Sequence, residues 1–253
     1  MRLSVSPAVT TPPQEPVEAN AHRATGPTGG RTAHFGHGGA LPYEVALALG
    51  IGTLLLRPRD APGATPWVVE VARYLDDADR VDRLLLRRTS GSVLDVGSGP
   101  GRMVAEARRR GRVALGIDVS PAAVAMARAA GRPVEHCSVF DDVPGEGGWG
   151  TTLLLDGNIG IGGDPGVLLA RCAELTAPGG IVVVESDLDP ERDHRFAAVL
   201  VAADGSGSAA FPWAVAGSRV VESVARTVGL APHGRLRRGG RHFVLLRRGD
   251  ARQ

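Results

Sequence analysis

Val93-Leu94-Asp95-Val96-Gly97-Ser98-Gly99-Pro100-Gly101-Arg102 is the stretch on which the reading of this chain turns. A short apolar run, Ser92–Val96, enters three alternate glycines, and a helical pattern begins at once over residues 102–110. Glycine lets the backbone bend sharply and approach a ligand with no Cβ in the way. The start of the following helix offers N–H groups that have no partner inside it. A dinucleotide fingerprint, G-x-G-x-x-G, needs glycine at position 102, and Arg102 stands there. The pattern present is G-x-G-x-G with an acid two residues before the first glycine. Such a turn suits a nucleoside bearing an amino acid better than a pyrophosphate. The cationic amine of that ligand wants carbonyls and an acid, which the loop and Asp95 supply.

Downstream, Val113–Ile117 reads as a second strand, and LGIDVS puts Asp118 at its carboxyl end. An acid there is placed to accept both hydroxyls of a ribose. Ser120-Pro121 is a strong helix start, cap followed by proline, and Gly131 stops that helix. Pro133–Cys137 and Thr151–Leu155 are the third and fourth strands. Asp164-Pro165 opens another helix, and Pro178-Gly179-Gly180 turns into a fifth strand, Ile181–Glu185. Strands alternating with helices predict a parallel sheet covered on both faces. Beyond it, Phe196–Ala203 and Ala209–Trp213 flank the turn DGSGS as a hairpin. Residues 218–228 are helical, and Leu230–Leu236 with His242–Arg247 form a closing antiparallel pair.

Upstream, residues 1–40 carry Pro, Thr and Gly without periodicity and are expected to be a disordered or flexible segment. Its end, AHFGHGG, holds His34 and His37, which could order over a ligand. Residues 41–56 read as a short helix and then an extended piece. Trp67, Val68, Val71, Tyr74 and Leu75, then Val81, Leu84 and Leu85, fall at helical spacing, with Asp79 or a neighbour capping the second helix. The expected organisation is a flexible 1–40, a helical cap or lid over 41–90, and a main domain over 91–253 with residues 186–213 inserted above the site.

The 253 residues are 43% hydrophobic and 22% charged, which excludes a chain disordered throughout. No run reaches about 18 uncharged apolar residues, so no membrane span is expected. Cys137 and Cys172 have no partners at zinc-ligand spacing, and the N-terminus makes a poor signal peptide; a cytoplasmic enzyme is the expectation. All 29 basic residues are arginine. Seven of them, with one acid, lie from Arg235 to the end, and this raises nucleic acid as a partner. Only ten aromatic residues in the whole chain give a base-stacking channel little support.

With VLDVGSGPG, GIDVS and APGGIVVVE (177–185) in this order, residues 67–253 resemble the class I S-adenosylmethionine-dependent methyltransferases. The resemblance implies an α/β, Rossmann-like three-layer αβα sandwich. Its seven-stranded, mostly parallel sheet would have five parallel strands plus the antiparallel closing pair, with the N-terminal helical cap beside it. It implies S-adenosyl-L-methionine as cofactor and S-adenosyl-L-homocysteine as product. Asp95, Gly97, Ser98, Gly99, Gly101, Asp118, Val119, Phe140, Asp141, Asp156 and Gly157 would form the cofactor site. The run LLLDGNIGIGGDP, residues 153–165, is similar to bacterial members. The family often places an acid for the adenine amine after strand three. Ser138-Val139 stand there, so Asp141 or the backbone of Phe140 would serve.

A sulfonium methyl is already activated, so a protein mainly supplies proximity and alignment, up to about 7–11 kcal/mol. A base is needed only when the nucleophile arrives protonated. Asp156, at the carboxyl end of strand four, and His37, on the N-terminal segment, are the catalytic candidates, with His34 beside the latter. Asn158, in the glycine-rich loop that follows Asp156, is a candidate polar contact between cofactor and acceptor. The acids Glu185, Asp187, Asp189, Glu191 and Asp193 extend along a loop broken by Pro190, and no metal is expected. Phe211-Pro212-Trp213 would form a substrate wall or part of the core. The acceptor expected is a small organic molecule, methylated at O or N; a homodimer stays open. Three rivals stand beside this reading: a nucleic-acid methyltransferase, a non-catalytic regulatory protein that binds the nucleoside, and a nicotinamide oxidoreductase. The first lacks an N/D-P-P-Y/F tetrad, having DGNI after strand four, and Arg102 disfavours the last.

Overall fold

A computed structural model describes residues 34–35, 42–50 and 52–250; the expectations for residues 1–33 and for His37 lie outside the described residues. Helix α1 (Pro42–Leu49) and strand β1 (Thr53–Pro58) match the helix-then-extended reading. Strand β2 (Trp67–Glu70) corrects the next expectation, because a helix was predicted there. Trp-Val-Val is aromatic and β-branched, and it pairs antiparallel with β1, Val69 opposite Leu54 and Trp67 opposite Leu56. Beyond β2 only Ala72–Leu75 (α2) and Arg80–Arg87 (α3) are helical, so the cap over 41–90, α1 included, is helical only in part. Asp79 starts α3 with a capping box: its carboxylate accepts from Val81 N–H at 2.6 Å and Asp82 N–H at 2.7 Å, while Asp82 accepts from Asp79 N–H at 3.2 Å.

The main domain follows as β3 (Val93–Val96), α4 (Arg102–Arg109), β4 (Ala114–Asp118), α5 (Pro121–Ala129), β5 (Val134–His136) and β6 (Trp149–Leu154). Short 3-10 turns over Asn158–Gly163 lead into α6 (Pro165–Leu175) and β7 (Thr176–Ser186). Then come β8 (Asp193–Val201), β9 (Phe211–Ala216), α7 (Ser218–Thr227), β10 (Leu230–Arg238) and β11 (Arg241–Arg248). The caps expected at Ser120 and Asp164 are formed: Ser120 Oγ accepts from Ala123 N–H at 3.3 Å, and Asp164 Oδ1 from Gly166 N–H at 2.7 Å.

Seven strands form one sheet in the order β10-β11-β7-β6-β3-β4-β5. The pairs β6/β7, β3/β6, β3/β4 and β4/β5 are parallel, and β11 runs antiparallel to both neighbours. Side-chain alternation splits the core into two layers. Leu94, Val96, Leu154, Val182 and Val244 pack with Leu168 of α6 and Val221 of α7. Val93, Leu153, Val183 and Phe243 pack on the other face with Leu85, Val104 and Val124. Each such side chain contributes about 1.5–3 kcal/mol when fully buried. The strand order reverses at β3, which has β4 on one side and β6 on the other, and this opens a crevice at the strands' carboxyl ends.

A second, antiparallel sheet has the order β2-β1-β8-β9. The hairpin expected around DGSGS is present as β8 and β9, Ala198 opposite Phe211. Its strand β8 also pairs with β1, Leu200 opposite Leu56, so the cap and the insert are one structural unit. A third core, including Leu47, Leu54, Leu200, Phe211 and Trp213, joins this sheet to α1.

Candidate active site

A cavity of about 870 Å³ lies between the carboxyl ends of the parallel strands and the four-stranded sheet. Gly97, Ser98, Gly99, Asp118, Val119, Phe140, Asp156 and Gly157 lie together on its wall. His34 is there too. Three of the expected cofactor residues, Asp95, Gly101 and Asp141, are not on that wall. Gly101 starts α4 at φ 82°, and a Cβ on it would meet Val134 Cγ2 at 3.2 Å; that glycine serves close helix–strand packing. Asp141 folds back on its own turn, accepting from Ser138 N–H at 3.2 Å, and is exposed.

Asp95 is buried and does not line the cavity; the pleat puts it on the same face of β3 as Val93. Burial pushes its pKa up to about 8, with the charges of Asp156, Asp82 and Asp118 adding to the shift and Arg102 opposing it. In the unfolded chain the group titrates near about pH 4. Between these two pH values the folded state holds the extra proton, so the group's contribution to stability declines as pH rises. Asp95→Asn is expected to remove the decline: its melting temperature gains on that of the parent from about pH 4 to about pH 8, then levels. A difference constant across that range would mean an ordinary aspartate.

The glycine turn is held from two sides. Gly97 and Gly99 take φ of 66° and 55°, the left-handed region. Asn158 donates to Val96 O at 2.8 Å and to Gly97 O at 2.9 Å, so it braces the turn rather than offering the free polar contact expected from sequence. From β4, Asp118 Oδ2 accepts from Gly99 N–H and Oδ1 from Ser120 N–H, both at 2.8 Å. Burial raises its pKa against these two donors. A carboxylate has about four acceptor positions, so capacity remains for two more donors. Across the mouth, Phe140 is 43% exposed and its ring rests on Gly162, where a Cβ would sit 2.9 Å away.

Beside the turn lies an ion network. Asp156 has φ 54°, the one non-glycine left-handed residue among those described. Its N–H donates to Glu185 Oε2 at 2.8 Å. Its carboxylate meets Arg102 at 2.7 Å, Arg73 at 3.5 Å and Arg241 at 3.6 Å. Arg241 grips both oxygens of Glu185 at 2.7 Å and reaches Asp82 at 2.7 Å; Arg102 Nε donates to Asp82 at 3.1 Å. Burial would raise Asp82, yet Arg102 and Arg241 outweigh it and hold its pKa at about 2. Two nitrogens of Arg73 are buried without an aligned hydrogen-bond acceptor, their nearest carboxylate oxygens lying at 3.5 Å, whereas the Nη2 of Arg102 is taken up by Asp156.

Sequence reasoning missed Arg73 and Arg241, and it used Arg102 only to dismiss a dinucleotide. Arg241 belonged to the basic end of the chain, and only the register of β11, with His242 opposite Ser186, turns it inward. That basic end is a sheet edge with committed arginines: Arg235 pairs with Glu222, Arg247 donates to Gly179 O, and Arg248 to Thr176 O. Tyr43 and Tyr74 also line the cavity, and burial raises both phenols so that they stay protonated. In the acidic loop, Asp187 and Asp189 accept from backbone N–H groups two residues on. Among the described residues no three His, Cys, Asp or Glu side chains converge as metal ligands.

Comparison with known proteins adds the following. Residues 70–207 match the family model described as a methyltransferase domain. A search of curated proteins finds no match. Among solved structures, the chain is similar to an S-adenosylmethionine-dependent methyltransferase from Bacteroides fragilis in complex with S-adenosyl-L-homocysteine, at 18% identity and a TM-score of 0.66, covering 82% of this chain and 94% of that one. The sugar N-methyltransferase KedS8 from a Streptoalloteichus species gives 18% identity and a TM-score of 0.53, covering 91% and 100%. The 1,6-didemethyltoxoflavin-N1-methyltransferase of Burkholderia thailandensis gives 18% and 0.50, covering 70% and 81%. At this identity the likeness establishes the fold.

Proposed function

This chain belongs to the methyltransferase domain family and is an S-adenosylmethionine-dependent enzyme, and from that premise we propose that it methylates oxygen or nitrogen of a small organic acceptor in the cavity described. The observation that carries the reading is the set of unfinished polar groups on one cavity wall. Asp118 keeps acceptor capacity, the glycine turn presents backbone without side chains, and two buried guanidinium nitrogens of Arg73 lack an aligned acceptor. A ribose, an adenosyl stem and a methionyl carboxylate complete these three in turn, so the residues fit the cofactor. Asp118 would take the ribose hydroxyls, Gly97 to Gly99 the stem, Phe140 the adenine face, and Arg73 the carboxylate. That two similar structures are named for N-methylation of small molecules supports the size class of the acceptor.

The bound cofactor supplies an electrophilic methyl on sulfur, lost to the acceptor by in-line displacement. The chain's own residues bind and align. The strained turn at Asp156-Gly157 is held by Glu185 and three arginines, so Asp156 acts as a positioning residue, its carboxylate engaged by those arginines. His34 lines the cavity; His37 is outside the described residues. No described helix is long and apolar enough to cross a membrane.

Calorimetry with S-adenosylhomocysteine, adenosine and NAD tests the reading. We expect S-adenosylhomocysteine to bind and NAD not to. Arg73→Met should weaken S-adenosylhomocysteine about tenfold, near 1.4 kcal/mol, and leave adenosine unchanged, because only the former carries a carboxylate. Equal losses for both ligands would contradict the role given to Arg73.

A further inference from the structure

Resting on that reading of the cavity, we propose that the acceptor is a flat aromatic or heteroaromatic molecule, clasped by an aromatic wall and fixed by the hydroxyl of Ser186. The chain has only ten aromatic residues. Six of them, Phe35, Tyr43, Trp67, Tyr74, Phe140 and Trp213, line this one cavity. Phe140 sits on the cofactor side; of the other five, Phe35 lies ahead of α1 and the rest face the remaining space from α1, α2 and the four-stranded sheet.

Their arrangement is built. Phe35 packs edge-on against Tyr43 at 5.2 Å and Phe211 at 5.6 Å, and tilted against Trp213 at 5.3 Å. Tyr43 meets Tyr74 edge-on at 6.2 Å. Trp67 is backed by Phe196, stacked at 5.1 Å and 14°. Aromatic rings prefer such edge-on and offset contacts, and a further ring can join them in the same way.

Glu70, Asp187, Tyr43 and Tyr74 bring polar groups to this side, while Arg241 and Glu185 grip each other and Asn158 is spent on the glycine turn. Ser186, at the end of β7, lines the cavity at 7% exposure; its Oγ is buried without a hydrogen-bond partner, and a turn about χ1 brings it to a ligand. A buried hydroxyl left unpaired is costly, so a ligand that bonds it gains by doing so. A polyhydroxylated sugar would lay hydroxyls against a wall that is mainly apolar, and each one left unpaired carries a desolvation cost. A flat ring with few polar substituents matches that balance.

The test uses full-length protein saturated with S-adenosylhomocysteine, titrated with 7-hydroxycoumarin, 6-aminoquinoline and glucosamine. At least one bicyclic probe is expected to bind about tenfold or more tighter than glucosamine. Trp67→Leu should weaken that probe about tenfold with affinity for S-adenosylhomocysteine unchanged, Trp67→Phe should restore most of the loss, and Ser186→Ala should weaken it several-fold. Unchanged cofactor affinity also certifies that each variant is folded. Preference for glucosamine, no binding by either bicyclic probe, or indifference to Trp67→Leu overturns the proposal. Retained S-adenosylhomocysteine binding in those cases leaves the methyltransferase reading standing, whereas its loss in the parent protein removes both.

Discussion

Asp82→Ala is expected to destabilise the fold by about 3–5 kcal/mol, measured by urea unfolding. Asp82 is 1% exposed and sits between two buried arginines, accepting from Arg102 at 3.1 Å and Arg241 at 2.7 Å. Removing it leaves both guanidinium groups with less compensating charge in a dry place. Half of the capping box at Asp79 goes as well. A pH effect of definite sign accompanies this. The folded group titrates at about 2 and the unfolded one near about 3.9, so its contribution is present above the higher value and is lost as pH falls toward the lower. The stability gap between parent and variant should therefore narrow on acidification through that window. A loss below about 1 kcal/mol, or a gap indifferent to acid, would mean that the network relaxes freely around the missing carboxylate.

Asp118→Ala is expected to weaken S-adenosylhomocysteine about a hundredfold. Two hydrogen bonds to a charged acceptor at about 1.5 kcal/mol each give that factor. The carboxylate also ties Gly99 and Ser120, so the empty turn loses its preorganisation. Asp118→Asn separates the two effects. It keeps one acceptor oxygen and the shape, and it is expected to lose about tenfold. Binding by Asp118→Ala within about threefold of the parent would take the ribose away from this residue.

The main sheet was legible in the sequence because its signals are local. Asp95 through Gly101, the cap-plus-proline pairs at 120–121 and 164–165, and the glycine stop at 131 each fix an element within about ten residues. Helix caps and strand ends then place Asp118 and Asp156 on the crevice. The four-stranded sheet was not legible as such. Its pairing of Leu55 with Val201 joins segments far apart in sequence, and the apolar residues from Trp67 to Leu75 satisfy a helical period almost as well as a strand. The arginines of the site were hidden for a similar reason. Arg73, Arg102 and Arg241 come from three separate elements and meet only through packing. The aromatic wall was hidden by scarcity: a 4% aromatic content suggests little until six of the ten rings are seen around one space.

A crystal structure of the protein with S-adenosylhomocysteine tests the central claim most directly. The account predicts ribose hydroxyls on Asp118, the methionyl carboxylate on Arg73, and the thioether sulfur turned toward Trp67, Tyr74 and Ser186. A ligand bound elsewhere, or a sulfur pointing away from that aromatic wall, would contradict it.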